Sequence, residues 1–213
     1  MANKKTVGII NYGTGNIASL DQAFSEIEAN AWVINNHKDF EGIDALVLPG
    51  VGHFGPAQDS LEASKLKEKI VASVKSGLPV LGICLGFQML TTGSEESADH
   101  PGLGLLPLKT ERLNPIDTSR HKVPHLGWNL LHEDVCGPPK LLKGIDPNDR
   151  LFYFANSFGV QPINTDDFAY ANYQHEKSWL GLVEFNNICG VQFHPEKSRS
   201  QGLRILQNFL QIQ

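Results

Sequence analysis

The chain has 213 residues, 41% hydrophobic and 19% charged, with 18 Lys and Arg against 23 Asp and Glu for a net charge of −5. That length allows a sizeable core but is short for two enzyme domains, so a single domain over 1–213 is expected. The acidic balance, with no block of like charge, argues against nucleic acid or an anionic membrane as partner, and no apolar run reaches the ~20 residues of a membrane span. The opening Met1-Ala2-Asn3-Lys4-Lys5-Thr6 does not read as a secretory leader. Cys84, Cys136 and Cys189 lack CxxC spacing. Neither a disulfide framework nor structural zinc is indicated, and a reducing, cytoplasmic setting is expected.

In chain order, Val7-Gly8-Ile9-Ile10 reads as a strand stopping at Asn11-Tyr12-Gly13-Thr14-Gly15. Ile17, Leu20, Phe24 and Ile27 follow at helical spacing behind Asn16, a good N-cap type. Trp32-Val33-Ile34 and Ala45-Leu46-Val47-Leu48 are short strands, Leu66, Ile70 and Val74 share a helix face ended by Gly77, and Pro79 to Ile83 is a buried strand. Gly93 to Pro107 and Gly137 to Arg150 read as loops. Strands are then expected over Leu151 to Ala155, Ala169 to Tyr173, Leu180 to Phe185 and Ile188 to Phe193, the last two joined as a hairpin through Asn186-Asn187. A final helix carries Leu203, Leu206, Phe209 and Leu210. This predicts an α/β fold: a mostly parallel central sheet flanked by helices, with added antiparallel strands.

The chemistry concentrates at Gly82-Ile83-Cys84-Leu85-Gly86-Phe87-Gln88, where the buried strand meets the next helix. Gly-x-Cys-x-Gly at such a junction has the logic of a nucleophile elbow, and a cysteine at a helix start is favoured as thiolate. The Leu85 amide would face the oxyanion formed when Cys84 attacks a carbonyl. A base is offered by Gln192-Phe193-His194-Pro195-Glu196: residues two apart in extended chain point the same way, so Glu196 can orient His194. A metal at His194 and Glu196 has no third ligand at convincing spacing. The other candidates His37, His100, His121, His132 and His175 read as surface or packing residues, Cys136 as a loop thiol and Cys189 as core. Pro49-Gly50-Val51-Gly52-His53-Phe54 follows another parallel strand on the same sheet rim, where its amides could complete an oxyanion hole. The Gly13-Thr14-Gly15 turn lacks both the full GxGxxG and the P-loop lysine, and reads as a structural turn.

Taken together, the cysteine elbow with Gly86-x-Gln88 and the distant His194-Pro195-Glu196 resemble the class I, or triad, glutamine amidotransferases, whose fold is flavodoxin-like. More narrowly, Pro49 to Gly52, Val123-Pro124-His125-Leu126-Gly127-Trp128-Asn129 and Gln192 to Ser198 are similar to the glutaminase subunits of imidazole glycerol phosphate synthases. The resemblance spans Asn11 to Phe209. It departs at Asn11, where the family opening usually has Asp, and at Asn156 and Phe158, where it usually has His and Tyr.

The resemblance implies hydrolysis of L-glutamine to glutamate and ammonia, with Cys84 as nucleophile, His194 as acid and base, and Glu196 orienting it. It also implies Gly52 and Leu85 at the oxyanion, Gln88, Ser157 and Phe158 around the substrate, and no cofactor or metal. Asn16, Pro124, Leu126, Trp128 and Lys197 would face a TIM-barrel cyclase subunit in a heterodimer, through which the ammonia passes. Three other readings stay open at this point: a paralogue feeding a sugar amidotransferase, a non-catalytic interaction module, and a thiol peptidase or esterase.

Overall fold

Strands of four or five apolar residues without alternation need cover on both faces, and the inner parallel strands of the observed sheet have it, while the edge strand over Asn30–Ile34 leaves Trp32 and Val33 exposed. A computed structural model describes residues 4–133, 139–162 and 167–212 of the protein. The first half contains β1 (Thr6–Ile10), α1 (Ile17–Glu26), β2 (Asn30–Ile34), β3 (Ala45–Leu48), α2 (Phe54–Ala63), α3 (Lys67–Lys75), β4 (Val80–Ile83) and α4 (Leu85–Leu90). The second contains β5 (Thr110–Arg112), β6 (His125–Leu130), β7 (His132–Glu133), β8 (Leu151–Asn156), β9 (Phe158–Val160), β10 (Ala169–His175), β11 (Lys177–Phe185), β12 (Ile188–Val191) and α5 (Arg199–Phe209).

The central sheet runs β2-β1-β3-β4-β12-β11-β10-β7. Its first five strands are parallel and the rest antiparallel, so the expected architecture is present. Alternate strand residues feed two cores. Ile9, Val47, Leu81 and Val191 pack with Phe24 of α1 and Phe209 of α5. Leu46, Leu48 and Val80 pack with Phe54, Ile70 and Phe87 of α2, α3 and α4 on the other face. Asn16 caps α1, its side chain accepting from the Ser19 amide, and Gly77 beyond α3 takes φ +104°. The hairpin at Asn186-Asn187 forms as expected, with Phe185 opposite Ile188.

Two expectations need correction. The strand at Leu151 does not extend the central sheet: β8 pairs antiparallel with β6, from His125 opposite Asn156 to Leu130 opposite Leu151. Phe152 and Phe154 alternate inward against Phe193, so this ribbon covers one face of the sheet instead of lengthening it. The strand expected to run to Phe193 ends at Val191, because the chain turns out of the ladder to place His194. The expected Gly93 to Pro107 loop holds no helix or strand, only isolated bridges. The other loop carries two short 3-10 turns over Lys140–Leu142 and Pro147–Asp149. Cys136 lies outside the described residues.

Candidate active site

The site is assembled at the carboxyl edge of the parallel strands, where the loops after β1, β3, β4 and β12 converge. Cys84 is the N-cap of α4 with φ 53° and ψ −109°, a conformation costly for any side-chain-bearing residue. The strain is held from both sides. The Cys84 amide donates to the Val191 carbonyl at 2.8 Å, fastening β4 to β12. A Cβ on Gly86 would sit 1.8 Å from the Leu48 carbonyl oxygen, and one on Gly82 would meet Phe87 backbone at 2.7 Å. The flanking glycines therefore serve close approach, and the left-handed residue is the cysteine itself.

The loop after β3 rests on this junction. A Cβ on Gly50 would meet the Gly86 amide nitrogen at 2.8 Å, and the Tyr12 hydroxyl donates to the Pro49 carbonyl at 2.6 Å. Gly52 has φ +101° and nothing within 4 Å of a built Cβ, so it borders open space. His53 Nδ1 lies 2.7 Å from Glu96 Oε1, while the other Glu96 oxygen accepts from the Phe54 amide at the start of α2.

His194 is buried, and its amide donates to the Tyr153 carbonyl at 2.9 Å. Its Nδ1 lies 2.8 Å from Glu196 Oε1, both side chains being almost wholly shielded. The reason differs from the extended-chain expectation: Pro195–Lys197 is a 3-10 turn, and the turn brings the carboxylate back to the ring. Burial pulls the His194 pKa down, but the neighbouring Cys84 sulfur and the hydrogen bond to Glu196 outweigh it and carry it up to about 10.

A cleft of about 580 Å³ opens over these groups, lined among others by Gly52, Cys84, Leu85, Gln88, Ser157, Phe158, His194, Pro124 and Lys197. Gln88 is buried, with Nε2 donating to the Phe158 carbonyl at 3.0 Å. Of the remaining expected positions, Leu126 and Trp128 lie on β6, 64% and 40% exposed, and Asn16 sits at the start of α1 on the same edge. The Arg199 guanidinium covers the Trp128 ring at 4.9 Å. Glu96 and Arg112 also line the cleft and were not singled out from the sequence. Neither carries a spacing signal: each sits in a polar loop or a three-residue strand that only tertiary folding brings to Cys84.

Cys189 is a fully buried core residue whose thiol pKa burial pushes well up. His175 is buried and in ring contact with His121 and His125, a packing cluster rather than part of the cleft. Among the described residues, no group of three His, Cys, Asp or Glu is placed to hold a metal. No helix among them is long and apolar enough to cross a membrane.

A strained cysteine at a strand-to-helix turn and a buried His-Glu pair thus meet at one edge of a doubly wound sheet, and the chain belongs to the class-I glutamine amidotransferase family, whose profile matches residues 8–212. It is 42% identical over 206 residues to the imidazole glycerol phosphate synthase subunit HisH of Methanothermobacter thermautotrophicus, covering 97% of this chain and 98% of that one. It is 39% identical over 210 residues to the subunit of the same name from Wolinella succinogenes, covering 97% and 99%. Among solved structures, a glutamine amidotransferase superposes with a TM-score of 0.70 at 18% identity over 97% of each chain. PurLQS from Thermotoga maritima does so with 0.70 at 18% over 98% and 99%. At that identity these two speak to the fold alone.

Proposed function

We propose that this chain is the glutaminase subunit of an imidazole glycerol phosphate synthase, hydrolysing L-glutamine and delivering ammonia to a partner subunit. The observation that carries the reading is the buried line Glu196, His194, Cys84, with 2.8 Å between carboxylate and ring and the sulfur opening into the cleft. In this reading Cys84 attacks the side-chain amide carbon of glutamine. His194 protonates the departing ammonia, then takes a proton from the water that adds to the thioester, and the C–S bond breaks to release glutamate. The Leu85 amide, first of α4 and so without an intrahelical acceptor, joins Gly52 in receiving the oxyanion. Gln88, Ser157 and Phe158 form the pocket wall. Glu96 faces the α-ammonium of the substrate and Arg112 its α-carboxylate, opposite charges set in one cleft.

The partner is read as a TIM-barrel cyclase docking on the carboxyl edge, over Asn16, Pro124, Leu126, Trp128 and Lys197, with the whole of 1–213 forming a single glutaminase domain. The names of the full-length relatives support a synthase partner, and the exposed apolar Leu126 and Trp128 beside the cleft mouth support this face. The test is Cys84→Ala in the reconstituted complex. Glutamine-dependent product is expected to vanish while ammonium salts still drive the partner's reaction, and retained glutamine-dependent turnover overturns the reading.

A further inference from the structure

Gln192 is wholly buried between β12 and His194, and no role assigned above uses its side chain. Its Nε2 lies 3.7 Å from Cys84 Sγ and its Oε1 3.1 Å from Gln88 Nε2. The orientation of both amides follows from a single acceptor. The Phe158 carbonyl, 3.0 Å from Gln88, can only accept, so Gln88 must present its NH₂ group there. The second hydrogen of that group then needs an oxygen, which fixes Gln192 Oε1 toward Gln88 and leaves Gln192 Nε2 facing the sulfur.

We propose that Gln192 is a hydrogen-bond donor to the Cys84 thiolate, holding the sulfur opposite His194 and fixing its line of attack, an inference that rests on Cys84 being the nucleophile. An N–H aimed at sulfur favours the thiolate, since a thiol is a weak acceptor and a thiolate a strong one. The competing thiol arrangement would donate to the Ala155 carbonyl, which is 4.0 Å away. Gln192 is itself held by Gln88, so a cleft-wall residue, a buried amide and the nucleophile form one rigid chain. The titratable and charged groups around the sulfur are His194, Glu196 behind it, the buried hydroxyls of Tyr12 and Tyr173, whose pKa values burial pushes up with the sulfur charge adding, and His53, Glu96, Arg112 and Lys197 of the cleft lining.

The test is the pH profile of Cys84 alkylation by iodoacetamide in the full chain, with glutaminase activity of the complex beside it. Gln192→Met keeps the volume and removes the donor; Gln192→Glu keeps the acceptor toward Gln88 and puts an oxygen against sulfur. Gln192→Met is expected to move the acid limb of the profile up by about one pH unit and lower kcat about tenfold with KM nearly unchanged. Gln192→Glu should do both more strongly. A profile superimposable on the wild type in folded Gln192→Met overturns the proposal. Should both variants fail to fold, the wild type decides it: the Gln192 side-chain amide resonance should titrate with the thiolate ultraviolet absorbance and lose that step in Cys84→Ser. An amide insensitive to thiolate formation overturns the proposal. Failure of the proposed function would show instead as glutaminase turnover by Cys84→Ala.

Discussion

Glu196 reaches His194 from within a 3-10 turn only three residues long, so its carboxylate has almost no freedom to leave the ring. Replacing it by Gln keeps the shape and removes the charge. Glutaminase turnover is expected to fall at least about a hundredfold, read as kcat in the complex. The same substitution has a thermodynamic signature. The His194 pKa in the fold is raised to about 10, so the stability gained by binding that proton is complete below about 6.5 and is lost as pH climbs through about 10. The difference in melting temperature between wild type and Glu196→Gln should therefore narrow across that window. At the mouth of the cleft, Glu96→Gln keeps an acceptor for the Phe54 amide and removes the charge facing an α-ammonium. It is expected to raise KM for glutamine about tenfold and leave kcat within a factor of three. Cys84, Gln88, His194 and Glu196 were legible as letters because motif residues sit close together in the chain. Glu96 and Arg112 were not, since what selects them is proximity across the fold, and Gln192 stood within the His194 motif with nothing in the letters to show its contact with the sulfur.

Among the elements, the parallel strands and α1, α3 and α5 could be read from spacing because each buries a simple apolar stripe. Helix α2 could not: its buried face includes Gly55, Ala57 and Gln58, and Pro56 lies in its first turn. Strand β6 was hidden for the opposite reason, its large apolar side chains Leu126 and Trp128 facing outward. The elbow between β4 and α4 depends on backbone contact, so Gly86→Ala, with its Cβ driven onto the Leu48 carbonyl, is expected to cost about 3 kcal/mol or to abolish folding, as measured by urea denaturation. The β6–β10 corner carries its own pH dependence. Burial, with His175 and His121 adding, pushes the His125 pKa down to about 4, and burial with His121 lowers that of His175. Both rings release protons more readily in the fold than in the unfolded chain, so stability falls as pH drops from about 6.5 toward the His125 value of about 4. His125→Gln should flatten that part of the melting curve series, checked by melting temperatures measured from about pH 7 down to about pH 4.

At the scale of the whole molecule, every expected site residue lies on one side of the sheet, which leaves the opposite, amino-terminal edge without assigned chemistry. Trp128→Ala or Leu126→Asp should weaken association with the synthase partner more than tenfold by calorimetry, Leu126→Asp with the subunit's own melting temperature unchanged. The order of strands along the sheet has a further consequence, in time rather than space. Strand β12 lies between β4 and β11, although more than a hundred residues separate it from β4 in the chain. Without β12 in place, Val80–Ile83 would be an apolar strand with one bare edge, the kind that recruits other chains. The segment that eventually covers this edge is the one that leads directly into His194 and Glu196. A nascent chain would then have neither His194 nor Glu196 beside Cys84 until that edge is sealed, so the segment that covers an adhesive edge is also the one that brings the proposed base to the proposed nucleophile.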